Sequence, residues 1–298
     1  MPLIPRIALF SLLPLLIPPA QAQEVFKSPD EAAAAFVAAL GTEHADADRL
    51  AKLLGDDWHN YIPVKNIERK DVDAFLDLYK QHHEIRDDGK GRAHLVAGNE
   101  GWTLPILLRQ GKDGWAFDAK DSVDEIRDRR IGRNELATIQ AVKAYHDAQL
   151  DYATKDRNGD GLLEYAQKFE SADGKFDGLY WADQPGVEES PLGPLFGDAK
   201  PEGEWHGYHY RILTAQGPSA PGGAYDYRIG KHMTRGFALV AWPARYGDSG
   251  VMTFMISHDG EVFEKDMGPD SAKLALAMKN FDPDSSWTEV KDDDTASN

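Results

Sequence analysis

Between Asn134 and Phe169 the chain spells out a long helix and then stops it, and no other stretch limits the fold as much. Leu136, Ile139, Val142, Tyr145, Gln149 and Tyr152 recur at three- and four-residue intervals, which lays a mostly apolar stripe along one helix face. Asn134 in front of them is a good N-cap, because its side-chain oxygen can accept an otherwise unpaired backbone N–H. About twenty residues at 1.5 Å each make a rod of roughly 30 Å, the width of a small domain. The pattern ends in Asp156-Arg157-Asn158-Gly159-Asp160-Gly161, a run of turn formers dense in oxygen atoms. One more helix is expected from Leu162 to Phe169.

Ahead of this rod, Ser28-Pro29-Asp30-Glu31 combines an N-cap, a proline at the first helical position and a capping-box glutamate. The helix it starts should end at Gly41. Two more are expected, from Asp46 to Leu54 and from Arg69 to His82. Strand-like pieces follow at Ala93–Ala97, Trp102–Leu108 and Trp115–Asp118, separated by glycine-containing loops at hairpin spacing. Pro105 demotes the middle piece to an edge or a bulge. Asp121 to Arg133 is densely charged and reads as a connection to the long helix. Residues 171–205, rich in Gly, Pro and acids, read as a surface excursion. Four β pieces come next, Tyr208–Thr214, Gly236–Trp242, Val251–Ser257 and Glu261–Lys265, with Asp259-Gly260 as a hairpin turn.

Helices followed by an antiparallel meander, twice over, predict an α+β protein. The expected divisions are a signal peptide at 1–22, a domain at 24–128, a second at 129–289 and an acidic disordered tail at 290–298. The first domain is similar in element order to cystatin-like and nuclear-transport-factor-like folds. The second, a long helix followed by four antiparallel strands, is similar to the globular head of type IV pilins and pseudopilins. A pilin begins with an apolar membrane helix continuous with its head. Here residues 24–128 intervene, so that resemblance extends to the fold alone.

The runs RRIGRNEL, GDGLLEYAQ at Gly159–Gln167, DGLYW at Asp177–Trp181 and SPLGPL at Ser190–Leu195 carry a more specific resemblance. RILTAQG at Arg211–Gly217, APGGAYDY at Ala220–Tyr227 and the segment Gly236–Phe254 extend it. Together they resemble a bacterial exported family catalogued as domain of unknown function 2950. The family carries no catalytic residues over to this chain.

Asp156-x-Asn158-x-Asp160-Gly161 matches the first half of an EF-hand-type calcium loop, with oxygens at positions 1, 3 and 5 and glycine at 6. The carbonyl of Leu162 would stand at position 7 and Glu164 at position 9. Position 12 is Gln167, a poorer ligand than the usual bidentate glutamate, and Lys155 and Arg157 offset part of the charge. The other reading is a bare turn, in which Asp and Asn satisfy local backbone groups. Gly247-Asp248-Ser249-Gly250 resembles a serine-protease nucleophile loop, but no histidine and buried aspartate accompany it; it reads as a turn. His206 and His209 point to opposite faces if they share a strand. Asp177, Glu188 and Glu189 are acids that a glycoside hydrolase could pair, although in a solvated loop acids are commonplace.

Composition bounds the rest. The chain has 298 residues, no cysteine and a formal charge of −17. Disulfides, thiolate metal sites and cysteine nucleophiles are excluded, and so much negative charge repels nucleic acid and anionic lipid. Arg6, the apolar run Ile7–Ile17 and Ala20-Gln21-Ala22 have the form of a signal peptide cleaved after Ala22. The expectation is therefore a periplasmic or secreted protein without stable membrane insertion. It is read as non-catalytic, structural or interaction-mediating, with an envelope protein or polymer as partner and calcium as a stabilising ion. The alternative is a secreted hydrolase of envelope polymers that works through carboxylates.

Overall fold

The hydroxyl of Ser28 accepts the N–H of Glu31 at 3.2 Å and starts α1, Pro29–Leu40. Asp46 does the same for α2, Ala47–Leu54, accepting from Arg49 N at 2.9 Å, and α3 runs Arg69–Gln81. The computed structural model describes residues 23–62, 68–183, 185–193 and 204–291. The expected signal segment and the residues from Asp292 onward lie outside them.

Contacts divide the chain into two compact units, one up to Ile126 and one from Arg127. In the first, the strands are β1 (His83–Gly89), β2 (Arg92–Ala97), β3 (Trp102–Thr103), β4 (Leu107–Gln110) and β5 (Trp115–Asp118). They form an antiparallel sheet in the order β1-β2-β4-β5, with β3 also on β2. The expected strand Trp102–Leu108 is broken around Pro105, which has no N–H for a ladder. Phe36 of α1 meets Phe117 of β5 at 5.3 Å between ring centroids, and Leu53, Leu95 and Leu108 complete a closed core. Strand β1, HEIRDDG, has no apolar alternation. It is held by pairing, His83 opposite Ala97 through Asp87 opposite Ala93.

The charged stretch before Asn134 is not a connection but helix. Helix α4 runs unbroken from Val123 to Tyr152. Asp124 and Glu125 in its first turn suit the positive end of the helix dipole, and Glu125 stands one turn before Arg129. Asn134 is consequently interior rather than a cap, and its amide donates to Ser249 O at 2.8 Å.

The second unit adds β6 (Tyr208–Leu213), β7 (Ala215–Gln216), β8 (Tyr225–Asp226), β9 (Arg228–Ile229) and β10 (His232–Met233). It continues with β11 (Ala238–Pro243), β12 (Met252–Ser257), β13 (Val262–Asp266), α5 (Ser271–Ala277) and β14 (Thr288–Glu289). The main sheet is antiparallel in the order β14-β13-β12-β11-β6, and β7–β8 and β9–β10 are separate small pairs. Helix α4 lies on one face of the main sheet. Tyr145 there donates to Ala238 O at 3.3 Å, and Glu135 accepts the N–H groups of Val251 and Met252 at 2.8 and 2.9 Å. Helix α5 packs on β11, and Arg211 of β6 donates to the carbonyls of Ala275 and Met278 at the end of α5. With elements on both faces, every residue of β11 is buried. The protein is α+β.

Candidate metal centre

After Tyr152 the chain turns through the acidic loop, and the loop is ordered from within. Asp156 spends both carboxylate oxygens on backbone: Oδ1 accepts Gly159 N at 2.8 Å and Asp160 N at 3.1 Å, and Oδ2 accepts Gly161 N at 2.8 Å. Asn158 Oδ1 accepts Asp160 N, and Asp160 Oδ1 accepts Leu162 N, each at 3.1 Å. Gly159 and Gly161 take φ of 77° and 88°, a conformation that glycine adopts without steric cost.

Leu162 to Phe169 is extended and irregular rather than the expected helix, because its backbone groups are already engaged. Tyr165 N donates to Met233 O at 2.8 Å. The Gln149 side chain brackets Ala166, its oxygen accepting Ala166 N and its nitrogen donating to Ala166 O, both at 2.8 Å. Tyr165 also packs edge-on against Phe237 at 4.8 Å. These contacts bring Glu164 beside the β9–β10 hairpin, where His232 waits.

There Asp160, Glu164 and His232 converge, with one ligating atom from each within 4.8 Å of the others. His232 Nδ1 lies 3.0 Å from Glu164 Oε2 and 3.3 Å from Asp160 Oδ2. The Glu164 side chain is only 11% exposed. Asn158 Nδ2 donates to Asp160 Oδ2 at 3.0 Å and to Glu164 Oε1. One imidazole nitrogen and one amide group thus face two carboxylates in a small space. Of the residues the sequence proposed, Asn158, Asp160 and Glu164 meet here. Asp156 shapes the loop, Leu162 enters through its N–H, and Gln167 turns away to donate to Lys231 O at 2.7 Å.

His232 has no sequence signal, since it stands 68 residues from Glu164 in an unremarkable hairpin. Arg157 was legible only as a charge, yet its side chain is 5% exposed. It is paired with Asp151 at 3.2 Å and Glu188 at 3.3 Å, and its guanidinium carbon lies 5.8 and 5.7 Å from the ring centroids of Tyr152 and Trp181. It ties the loop to the core.

The remaining motifs are structural. The Ser249 side chain is buried, donating to Gly207 O at 2.7 Å and accepting Arg245 N at 2.9 Å. A Cβ on Gly250 would stand 2.1 Å from Tyr208 Oη, so glycine is required there by close approach. His206 sits in the turn before β6, its ring tilted against Trp205 at 4.7 Å between centroids, while His209 of β6 lies tilted against Trp242 at 5.8 Å. Burial pushes the Asp177 carboxyl up, but Lys168 at 2.6 Å and the Ala172 N–H at 2.9 Å outweigh it and hold it below the usual carboxylate range. The hydrogen bond from Lys155, joined by the charge of Arg157, holds Glu188 low as well. A general acid for glycoside cleavage needs the opposite shift.

Fold and cluster define an α+β protein with a carboxylate–imidazole centre on a loop stitched to its second core. The chain belongs to the family described as "Protein of unknown function (DUF2950)", which matches residues 23–290. No curated protein and no solved structure matches it. Among the described residues, no helix is long and apolar enough to cross a membrane.

Proposed function

We propose that this chain is an exported, non-catalytic envelope protein that works by binding a partner. Its pilin-head-like second unit is held in shape by a divalent cation at the Asp156–Glu164 loop. The observation that carries the cation site is the convergence of Asp160, Glu164 and His232 on a loop whose backbone is already organised. Two carboxylates so close repel each other unless a positive charge or a donor stands between them. Asn158 supplies that donor. Export rests on the Met1–Ala22 segment, and the low-lying, ion-paired Asp177 and Glu188 do not suit the part of a general acid.

Calcium is the hard cation suited to the loop's oxygens, and its binding should be weak, about 10⁻⁴–10⁻³ M, as in extracellular modules. A ligand at a hundred times its Kd stabilises the folded state by about 2.7 kcal/mol, roughly 5–10 °C for a unit of this size. Thermal unfolding of the mature protein in chelator and in excess calcium measures it. A midpoint that moves in the wild type and stays fixed in Asp156→Ala/Asp160→Ala supports the site, and an unmoved midpoint in both reduces the loop to a turn.

A further inference from the structure

We infer that the centre is a zinc-class site, with His232 Nδ1, Asp160 and Glu164 as its three protein ligands and calcium as a weak competitor. The inference rests on the cation site proposed above and names its preferred occupant.

The first ground is donor count. Calcium needs six to eight oxygens. Gln167 points at Lys231 O, so the loop lacks the ligand that an EF-hand places last, and the groups that converge are two carboxylates and an imidazole. Three side-chain ligands and a water are what a four-coordinate zinc with one open position takes. The second ground is donor type. Imidazole nitrogen binds zinc, copper, nickel and iron well, and calcium and magnesium poorly. His232 faces both carboxylates through the same nitrogen, 3.0 and 3.3 Å away. A tetrahedron with arms of about 2.0–2.1 Å has edges of about 3.3–3.4 Å, close to the two distances that separate His232 from the carboxylates. Binding uses the Nδ1 lone pair, with the ring hydrogen on Nε2.

The third ground is that the histidine comes fixed. His232 lies between two anchors, Lys231 O accepting from Gln167 and Met233 O accepting from Tyr165 N, while Met233 itself is fully buried. A ligand held on a hairpin by its neighbours meets the ion with little ordering cost. The ion would then join the loop to the β9–β10 hairpin by a bond that neither element can make alone.

The experiment is titration of the mature chain with zinc and, separately, calcium, followed by calorimetry and by the visible spectrum of the cobalt(II) form. The expected result is one zinc per chain, bound at least 100-fold tighter than calcium. His232→Ala and His232→Gln should each weaken zinc on the order of 100-fold, since even outer partners of a ligand are worth 10–100-fold, and should leave calcium within about threefold. The cobalt form should show the intense absorption of a low-coordinate site, lost in both variants. The glutamine variant keeps a polar side chain, so a folding defect in the alanine variant does not decide the matter. Zinc binding that survives both His232 variants, or calcium binding as tight as zinc, overturns this assignment while the cation site stands. If neither ion binds, or if binding survives Asp160→Ala, the cation site falls as well.

Discussion

Side chains that the sequence presents as chemistry turn out, at the scale of single residues, to be joinery. Ser249 is the plainest case. Its hydroxyl is spent on Gly207 and Arg245 inside a buried turn, so a fluorophosphonate probe should leave the protein unlabelled. Ser249→Ala should cost about 1–2 kcal/mol, the usual range for a buried hydrogen-bonded hydroxyl, measured by denaturant unfolding. Labelling that disappears in that variant would restore the nucleophile reading. Gln149 is the converse, a polar residue on an apolar stripe that looks like a lapse and is a clamp. Gln149→Leu strands both backbone groups of Ala166, which is 2% exposed, together with the Tyr145 hydroxyl contact. Its cost should be about 2–4 kcal/mol. A thermal midpoint unchanged from wild type would show that water reaches Ala166 after all. Loop residues Asn158, Asp160 and Glu164 were legible because their spacing is local. His232 was not, because its role depends on a pairing between segments that no local pattern encodes.

Elements were read best where caps and periodicity agreed. The first three helices begin and end within a residue of what Ser28, Gly41, Asp46, Gly55 and Arg69 imply, since each boundary is fixed by a local hydrogen bond or a glycine. Beside the helix expected over Leu162–Phe169, two elements were misread for opposite reasons. Strand β1 lacks an apolar face, so only its partner β2 makes it a strand. The start of α4 lacks an apolar stripe, so its charges suggested a connection where they stabilise a helix. Gly132 offers a direct check on that helix. It lies in the charged half of α4, and a Cβ there would meet nothing within 4 Å. Gly132→Ala should therefore raise stability by about 0.5–1 kcal/mol, read as a higher urea midpoint with an unchanged slope. A loss of stability would mean that the stretch is not helical in solution.

For the molecule as a whole, the two cores share no residue: the first is built from residues up to Ile126 and the second from Ile139 onward. Calorimetry should therefore resolve a transition that calcium or zinc moves, belonging to the second unit, beside one that neither ion touches. An equal shift of all the unfolding heat would contradict a cation site confined to that unit. Residues 171–205 were read as a surface excursion, yet Leu179, Trp181 and Leu192 are buried in the second core. Polarity hid them, because single apolar residues set among Gly, Pro and acids give no periodicity. That segment has almost no regular structure of its own among its described residues. Beside bonds of its own, such as Trp181 to Glu188 O, it is held to the long helix and the acidic loop by Tyr152 donating to Phe176 O and by Arg157 pairing with Glu188. A segment shaped by a template cannot form before the template does. In kinetic terms, its contacts should be absent from the folding transition state, with φ-values near zero. Weakening them should leave the folding rate alone and speed unfolding instead, so this stretch governs how long the second unit stays folded rather than how fast it gets there.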